Sequence, residues 1–292
     1  MPIQIISIFC EGPHDVAFIA KILKTMGFVS NESTKLGEYP PPMNQLLTIE
    51  ATTAQVSDLN LSELRSTLLP SNTLKKDQNY LFLYALGGDK KETERNKLLQ
   101  NFRSFIPAEG EYAVMPPDTC LSILYFFDAD EKGVQKRLSE LNKEVEKVLN
   151  HQPFTRHHEV VTENGIKLGC FIFTGEDNNT GKLEHILVPL MKAENETIFD
   201  NAEQYLKENF VKERIFRLKL STNKEQGIVE KRIKDSDFDH SKSLIGIVGQ
   251  LQRSGKANAV HISDTDYLTL QKIKDDTKCQ EITTFLNLYF EG

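Results

Sequence analysis

Three short apolar runs, each stopped by a turn and followed by a helical pattern, constrain the fold more than any other feature of the chain. Residues 2–10 (PIQIISIFC) run into Glu11-Gly12-Pro13, residues 80–86 (YLFLYAL) into Gly87-Gly88-Asp89-Lys90, and residues 121–127 (LSILYFF) into Asp128-Ala129-Asp130. Runs of this length, dense in isoleucine, leucine and aromatics, read as buried strands. Helical patterns follow in HDVAFIAKILKTMGF, where Val16, Ile19, Ala20 and Leu23 share one face, in ERNKLLQNFRSFI and in VQKRLSELNKEVEKVLNH. Strand, turn and helix repeated in this order predict an α/β fold: a mainly parallel sheet flanked by helices on both faces. The carboxyl ends of such strands form the crevice where ligands bind.

The rest of the chain is less regular. HHEVVTENGIKLGCFIFTG reads as two strands around the Asn164-Gly165 turn. LEHILVPLM reads as a helix starting near Lys182. Residues 30–79 exceed a simple crossover and read as an insertion, with a strand at LLTIEAT and a helix at LNLSELRSTLL capped by Ser62. The expected division is a core over residues 1–193 and a mostly helical, polar C-terminal extension over residues 194–292, packed on the core, with one strand at ANAVHIS. The closing NLYFEG resembles a protease-tag remnant, while ITTFLNLYF also reads as a native amphipathic end.

At 39% hydrophobic and 26% charged residues, the composition is that of a globular protein. No apolar run approaches the roughly 18 residues of a membrane span, and the first residues lack a basic stretch and cleavage site, so no membrane partner and a cytoplasmic location are expected. Cys10, Cys120, Cys170 and Cys279 are widely spaced, without zinc-type pairing, and read as reduced thiols. A net charge of −7 argues against a general nucleic-acid coat protein. It is compatible with a site that holds divalent cations, which must itself be acidic.

Glu11 ends the first strand and Asp128 with Asp130 ends the third, so acids distant in sequence converge on one edge of the sheet. Clustered carboxylates repel one another and lose hydration there, a cost that a hard cation offsets. The same residues also suit turns and helix caps, and that plainer reading stays open.

Two motifs go further. Glu11-Gly12-Pro13-His14-Asp15 resembles the E-G-x-x-D motif of Toprim domains, and Asp128-Ala129-Asp130-Glu131-Lys132-Gly133 their D-x-D-x-x-G motif, in the family's order and after the expected strands. The resemblance spans roughly residues 3–150, extending towards 193. It implies a compact Rossmann-like core and Mg2+-dependent phosphoryl transfer on nucleic acid, DNA or RNA, with Mn2+ as a substitute cation. On that resemblance Glu11 is the general acid/base, Asp128 and Asp130 hold the metal, and Asp15 supports the site or holds a second metal through water. Gly12, Gly87, Gly88 and Gly133 would shape the turns. Thr180-Gly181-Lys182-Leu183-Glu184 is similar to a segment of overcoming-lysogenisation-defect nucleases, which makes Glu184 a further ligand and Lys182 an electrostatic helper. His14, Lys90 and His185 lie beside these positions.

The chain also departs from such proteins. It contains no G-x-x-x-x-G-K-[ST] motif, so the ATPase attached to many of them is not encoded here, and it has no zinc ribbon and no room for strand-passage domains. Three functions follow: a Mg2+-dependent nuclease, a non-catalytic module binding metal, nucleotide or a partner, and a subunit docking on a separate ATPase. The basic stretch Lys212, Arg214, Arg217, Lys219, Lys231, Arg232 and Lys234 is interspersed with acids and is expected to form a solvated helix face, with a phosphate-tracking surface as the alternative.

Overall fold

A computed structural model describes residues 2–53, 68–87, 91–107, 115–150, 153–163, 165–223, 227–234 and 238–290. The strands are β1 (Ile3–Cys10), β2 (Val29–Ser30), β3 (Asn72–Lys76), β4 (Asn79–Ala85), β5 (Thr119–Asp128), β6 (Val160–Glu163) and β7 (Ile166–Phe173), followed by β8 (Phe216–Asn223) and β9 (Gly227–Lys234). The helices up to the end of β7's crossover are α1 (Pro13–Thr25), α2 (Met43–Thr53), α3 (Glu92–Ser104), α4 (Val134–Leu149) and α5 (Glu184–Lys192). Beyond them come α6 (Glu196–Asn209), α7 (His240–Gly249), α8 (Asn258–Asp264), α9 (Leu270–Asp275) and α10 (Thr277–Asn287).

The first seven strands form one sheet in the order β2-β3-β4-β1-β5-β7-β6. Its central strands β4, β1, β5 and β7 are parallel, and the outer pairings β2-β3, β3-β4 and β6-β7 are antiparallel. The fold is therefore α/β, as the alternation of strands and helices predicts, with antiparallel edges that the alternation did not reveal. Successive residues on a strand point to opposite faces. Thus Ile5 and Phe9 of β1 enter one core, with Phe82 and Tyr84 of β4, while Ile6, Ile8 and Cys10 enter the other, with Leu81 and Leu83. Helices α2, α3 and α4 cover the first face. Helices α1, α5, α6, α7, α8 and α10 contribute to the second. Covered on both faces, the central strands had to be apolar throughout, which is why they stand out in the sequence.

The C-terminal helices thus share a hydrophobic core with α1 and the sheet. Lys21 of α1 is buried and donates from Nζ to the carbonyl oxygens of Ile262 (3.0 Å) and Thr265 (3.4 Å) at the end of α8. Those carbonyls are ones a terminating helix leaves without helical partners. Burial lowers the Lys21 ammonium to about 8. Cys10, Cys170 and Cys279 are free, buried thiols.

Three local expectations are overturned. LLTIEAT lies in helix α2, whose Met43, Leu46 and Leu47 pack on the sheet at helical spacing. ANAVHIS lies largely in helix α8, where His261 and Ile262 are buried. Of the basic stretch, Arg217, Lys219, Lys231, Arg232 and Lys234 stand on the β8-β9 hairpin and Lys212 and Arg214 in a single 3-10 turn before it, rather than on one helix face. The LNLSELRSTLL helix falls outside the described residues except for its last two positions, and Asn164 of the expected turn lies outside them as well. Among the described residues no helix is long and apolar enough to cross a membrane.

The chain up to Phe290 belongs to this packing. Tyr289 is fully buried and its hydroxyl donates to the carbonyl of Leu168 at 3.3 Å. Gly169 makes room for it, since a Cβ there would stand 1.7 Å from the Tyr289 hydroxyl oxygen. Gly169→Ala is therefore expected to push α10 off the sheet and lower stability by about 1–3 kcal/mol, the usual range for overpacking a core. Urea denaturation measures this, and an unchanged midpoint would show that the ring can move aside at no cost.

Candidate functional site

The register of the parallel strands brings the acids together. Cys10 pairs with Phe126 and Asp128 with Phe173, so the chain leaves β1, β5 and β7 at adjacent points on one edge. Glu11 leaves β1 there, and its Oε1 accepts from the Asp128 N–H at 3.1 Å. Glu11 tolerates no side chain on Gly87, where a Cβ would lie 1.7 Å from the Glu11 carbonyl oxygen, so this glycine permits the close approach of two loops. Gly12 precedes α1 and its N–H donates to Asp15 Oδ2 at 2.8 Å, which turns that side chain back towards the strand ends. Gly133 (φ 83°) opens α4 in a conformation that favours glycine. Gly88 and Lys90 lie outside the described residues.

Asp128 Oδ1 accepts from the Leu183 N–H at 2.8 Å, tying the β5 end to the start of α5. Glu184 on that helix is 2% exposed and Asp15 is 5% exposed. One oxygen of each, Asp15 Oδ1 and Glu184 Oε2, is buried without a hydrogen-bond partner. Burial, and then the Glu11 charge, push the Asp15 carboxyl up to about 7. Burial, with the charges of Glu11 and Asp15, pushes Asp128 up to about 9. Burial also raises Glu11, outweighing the pull of Arg137. Glu184 is the exception: burial pushes it up, but its hydrogen bond with His14 and the charge of Lys242 hold it below the ordinary value. His14 Nδ1 lies 3.2 Å from Glu184 Oε1, and Lys242 Nζ 3.7 Å from the same atom.

Asp130 is placed differently. It adopts a left-handed conformation (φ 49°), and its backbone exchanges hydrogen bonds with Gly181, at 2.7 and 2.9 Å. Its carboxylate accepts from Arg137 Nη2 at 2.6 Å. Arg137 also donates from Nε to the Asp128 carbonyl at 2.8 Å and stands 3.4 Å from Glu11 Oε1. The acids that sense one another most strongly are Asp15, Asp128, Glu11 and Glu184, with Asp130 at the rim beside Arg137. Lys182 forms an ion pair with Asp239, and the Lys182 N–H donates to His185 Nδ1 at 3.3 Å.

Arg137, Lys242 and Asp239 were missed in the sequence, whereas His14, noted there beside the motif, lies against Glu184. Arg137 sits one turn into the helix after Gly133, where an arginine on an amphipathic helix looks like a surface residue. Asp239 caps α7 by accepting from the Lys242 N–H at 2.9 Å, and more than fifty residues separate both from Glu184. Nothing in the sequence pairs them. Beneath the rim, Arg95 donates to both Glu144 oxygens at 2.7 and 2.6 Å, and to the Leu86 carbonyl at 2.6 Å. That pair fixes α3 to α4 and to the end of β4.

The donor chemistry suits a hard divalent cation: carboxylate oxygens, two of them buried and unpartnered. The arrangement is not a finished coordination sphere, since among the described residues no three His, Cys, Asp or Glu side chains are grouped to hold a metal. Asp15, Asp128 and Glu184 are the residues that would hold one, with Glu11 and Asp130 beside them against Arg137.

The pH dependence follows from sign. Asp15 and Asp128 titrate above the ordinary carboxylate range in the folded state, so folding favours their protonated forms. That stabilisation is present in full at acidic pH and is lost as pH rises through about 7 and then about 9. The metal-free protein is expected to melt at a lower temperature at pH 9 than at pH 6 in calorimetry. Asp128→Asn keeps the acceptor for Leu183 and should raise the melting temperature at pH 9, flattening this dependence. A variant less stable than the parent at pH 9 would assign Asp128 a structural role.

Compared with curated proteins and with solved structures, the chain matches none. A family model matches residues 6–291, from the first strand of the sheet through the helix that closes its second face. That match takes in the acidic site, the hairpin and both cores, and on it the chain belongs to DUF3226, a family of proteins of unknown function.

Proposed function

We propose that the acidic edge is a Toprim-type site that hydrolyses phosphodiester bonds of nucleic acid with Mg2+, or Mn2+ in its place. The observation that carries the reading is the convergence of Glu11, Asp15, Asp128 and Glu184 at the strand ends with two carboxylate oxygens buried and unpartnered. Like charges in low dielectric are costly, and a cation with bound phosphate is the chemistry that offsets them. When bound, the cation supplies charge neutralisation for the phosphate oxygens and a more acidic water.

The protein's own groups then have separate tasks. Glu11, raised above the ordinary carboxylate range, is suited to accept the proton of the attacking water as the water oxygen bonds to phosphorus and one ester bond breaks. The departing oxygen takes up a proton from solvent or from the protonated Glu11. Asp128, Asp15 and Glu184 hold the cation, with Asp130 joining from the rim. Arg137 orients Glu11 and Asp130 through its three-way contacts. Lys182 and Lys242 put positive charge at the rim, where a phosphate would approach.

A binding module without turnover is the second reading, favoured by the Arg137 guanidinium already standing between Glu11 and Asp130 where a cation would otherwise serve. The two are separated by a cleavage assay on labelled single- and double-stranded DNA and RNA, with calorimetric Mg2+ titration alongside. Glu11→Gln should lower the turnover rate by about 10²–10⁴-fold while cation binding persists. Arg137→Ala should lower it by about 10–100-fold. Cation binding by the parent protein without cleavage of any of these substrates would decide for the binding module.

A further inference from the structure

The β8-β9 hairpin pairs with no strand of the large sheet, and both its faces meet solvent. Leu218, Leu220 and Ile228 are 56%, 65% and 74% exposed. A lone two-stranded ribbon is only marginally stable in water, so an exposed one of this length is a feature kept for contact with something else. Its charge says what. The two strands carry five basic residues, Arg217, Lys219, Lys231, Arg232 and Lys234, against one acid, Glu230, in a chain whose net charge is −7. Lys219 stands directly opposite Lys231 in the ladder, and Arg217 shares their face. Like charges directly opposite destabilise a ribbon. A polyanion lying across that face removes the cost.

The hairpin is also tied to the acidic edge. Lys234 ends β9, and five residues later Asp239 holds Lys182 and begins the turn from which Lys242 reaches Glu184. Five residues span at most about 17 Å, so the root of the ribbon lies within that distance of the rim of the site. We infer that the hairpin is a nucleic-acid arm: its Arg217, Lys219 and Lys231 face grips the phosphate backbone and holds the strand beside Asp128 and Glu184. This deepens the phosphodiester reading above and rests on it for the choice of polyanion. A two-stranded ribbon has the width of a DNA major groove, and either duplex or single strand presents the phosphates required.

Fluorescence anisotropy with labelled single- and double-stranded oligonucleotides, in EDTA so that the cation site is silent, tests the arm. The full chain is compared with Lys219→Ala/Lys231→Ala and with Lys219→Glu/Lys231→Glu, each checked for a single cooperative melting transition. The double alanine variant should bind roughly tenfold more weakly at low salt, and its slope of log affinity against log salt should fall by about 1.8 on duplex and about 1.4 on single strands, two phosphate contacts' worth. Charge reversal should abolish binding. Parent-like affinity and slope in the double alanine variant would overturn the arm, as would binding to phosphatidylserine vesicles with none to oligonucleotides. Arm-dependent binding by a protein that never cleaves with Mg2+ would leave the arm standing and remove the hydrolytic reading. Cleavage equally fast in parent and double alanine variant, at salt that discriminates them in binding, would do the reverse.

Discussion

Negative charge held at the edge of a sheet that is buried on both faces is the constraint on which the rest of this molecule turns. Parallel strands covered by two helical layers must be apolar along their length, so polar chemistry can begin only where they end. Here two strand ends and the first turns of α1 and α5 deliver carboxylates to one place, and the low dielectric that makes the cores stable makes those carboxylates repel. The nitrogen groups around them answer that repulsion. Arg137 from α4, His14 from α1 and Lys242 from α7 approach from three sides, each against a particular acid. Asp15 Oδ1 and Glu184 Oε2 are left without a partner. Those two buried oxygens are what supports the proposed cation site.

The same electrostatics join the C-terminal region to the site. Helix α7 packs Leu244, Ile245 and Val248 into the core shared with α1, and its first turn presents Asp239 and Lys242 to the start of α5. Lys21 fastens α1 to the end of α8 by hydrogen bonds to carbonyls. The acidic edge, the C-terminal helices and the root of the β8-β9 ribbon are therefore one connected structure. Charge in the chain is divided accordingly: acids gather where the sheet ends, and the densest run of cations stands on the ribbon that leaves from beside them.

Much of the architecture was legible because burial on both faces leaves a one-dimensional trace. PIQIISIFC, YLFLYAL and LSILYFF are apolar but for Gln4, Ser7 and Ser122, and of the turns after them two are marked by glycine for a physical reason, Gly87 by close approach and Gly133 by left-handed backbone. Amphipathic pieces with less contrast misled. LLTIEAT has a strand-like composition but lies in helix α2, and ANAVHIS lies largely in α8, since tertiary packing outweighs the local preferences of β-branched residues. The basic stretch suggested a solvated helix because acids are interspersed in it, yet its cross-strand partners sit at a two-residue period.

The sequence by itself determined the α/β class, the strand ends and which acids stand at them, since those follow from a hydrophobic pattern and a turn that are both local. It could not order the acids by environment. Only the tertiary structure sets Asp15 and Glu184 deep in the site, turns Asp130 outward to Arg137, and pairs Lys182 with Asp239 across more than fifty residues. Burial and Coulombic pairing depend on distances in space, and those distances come from the strand register and the docking of helices remote in sequence.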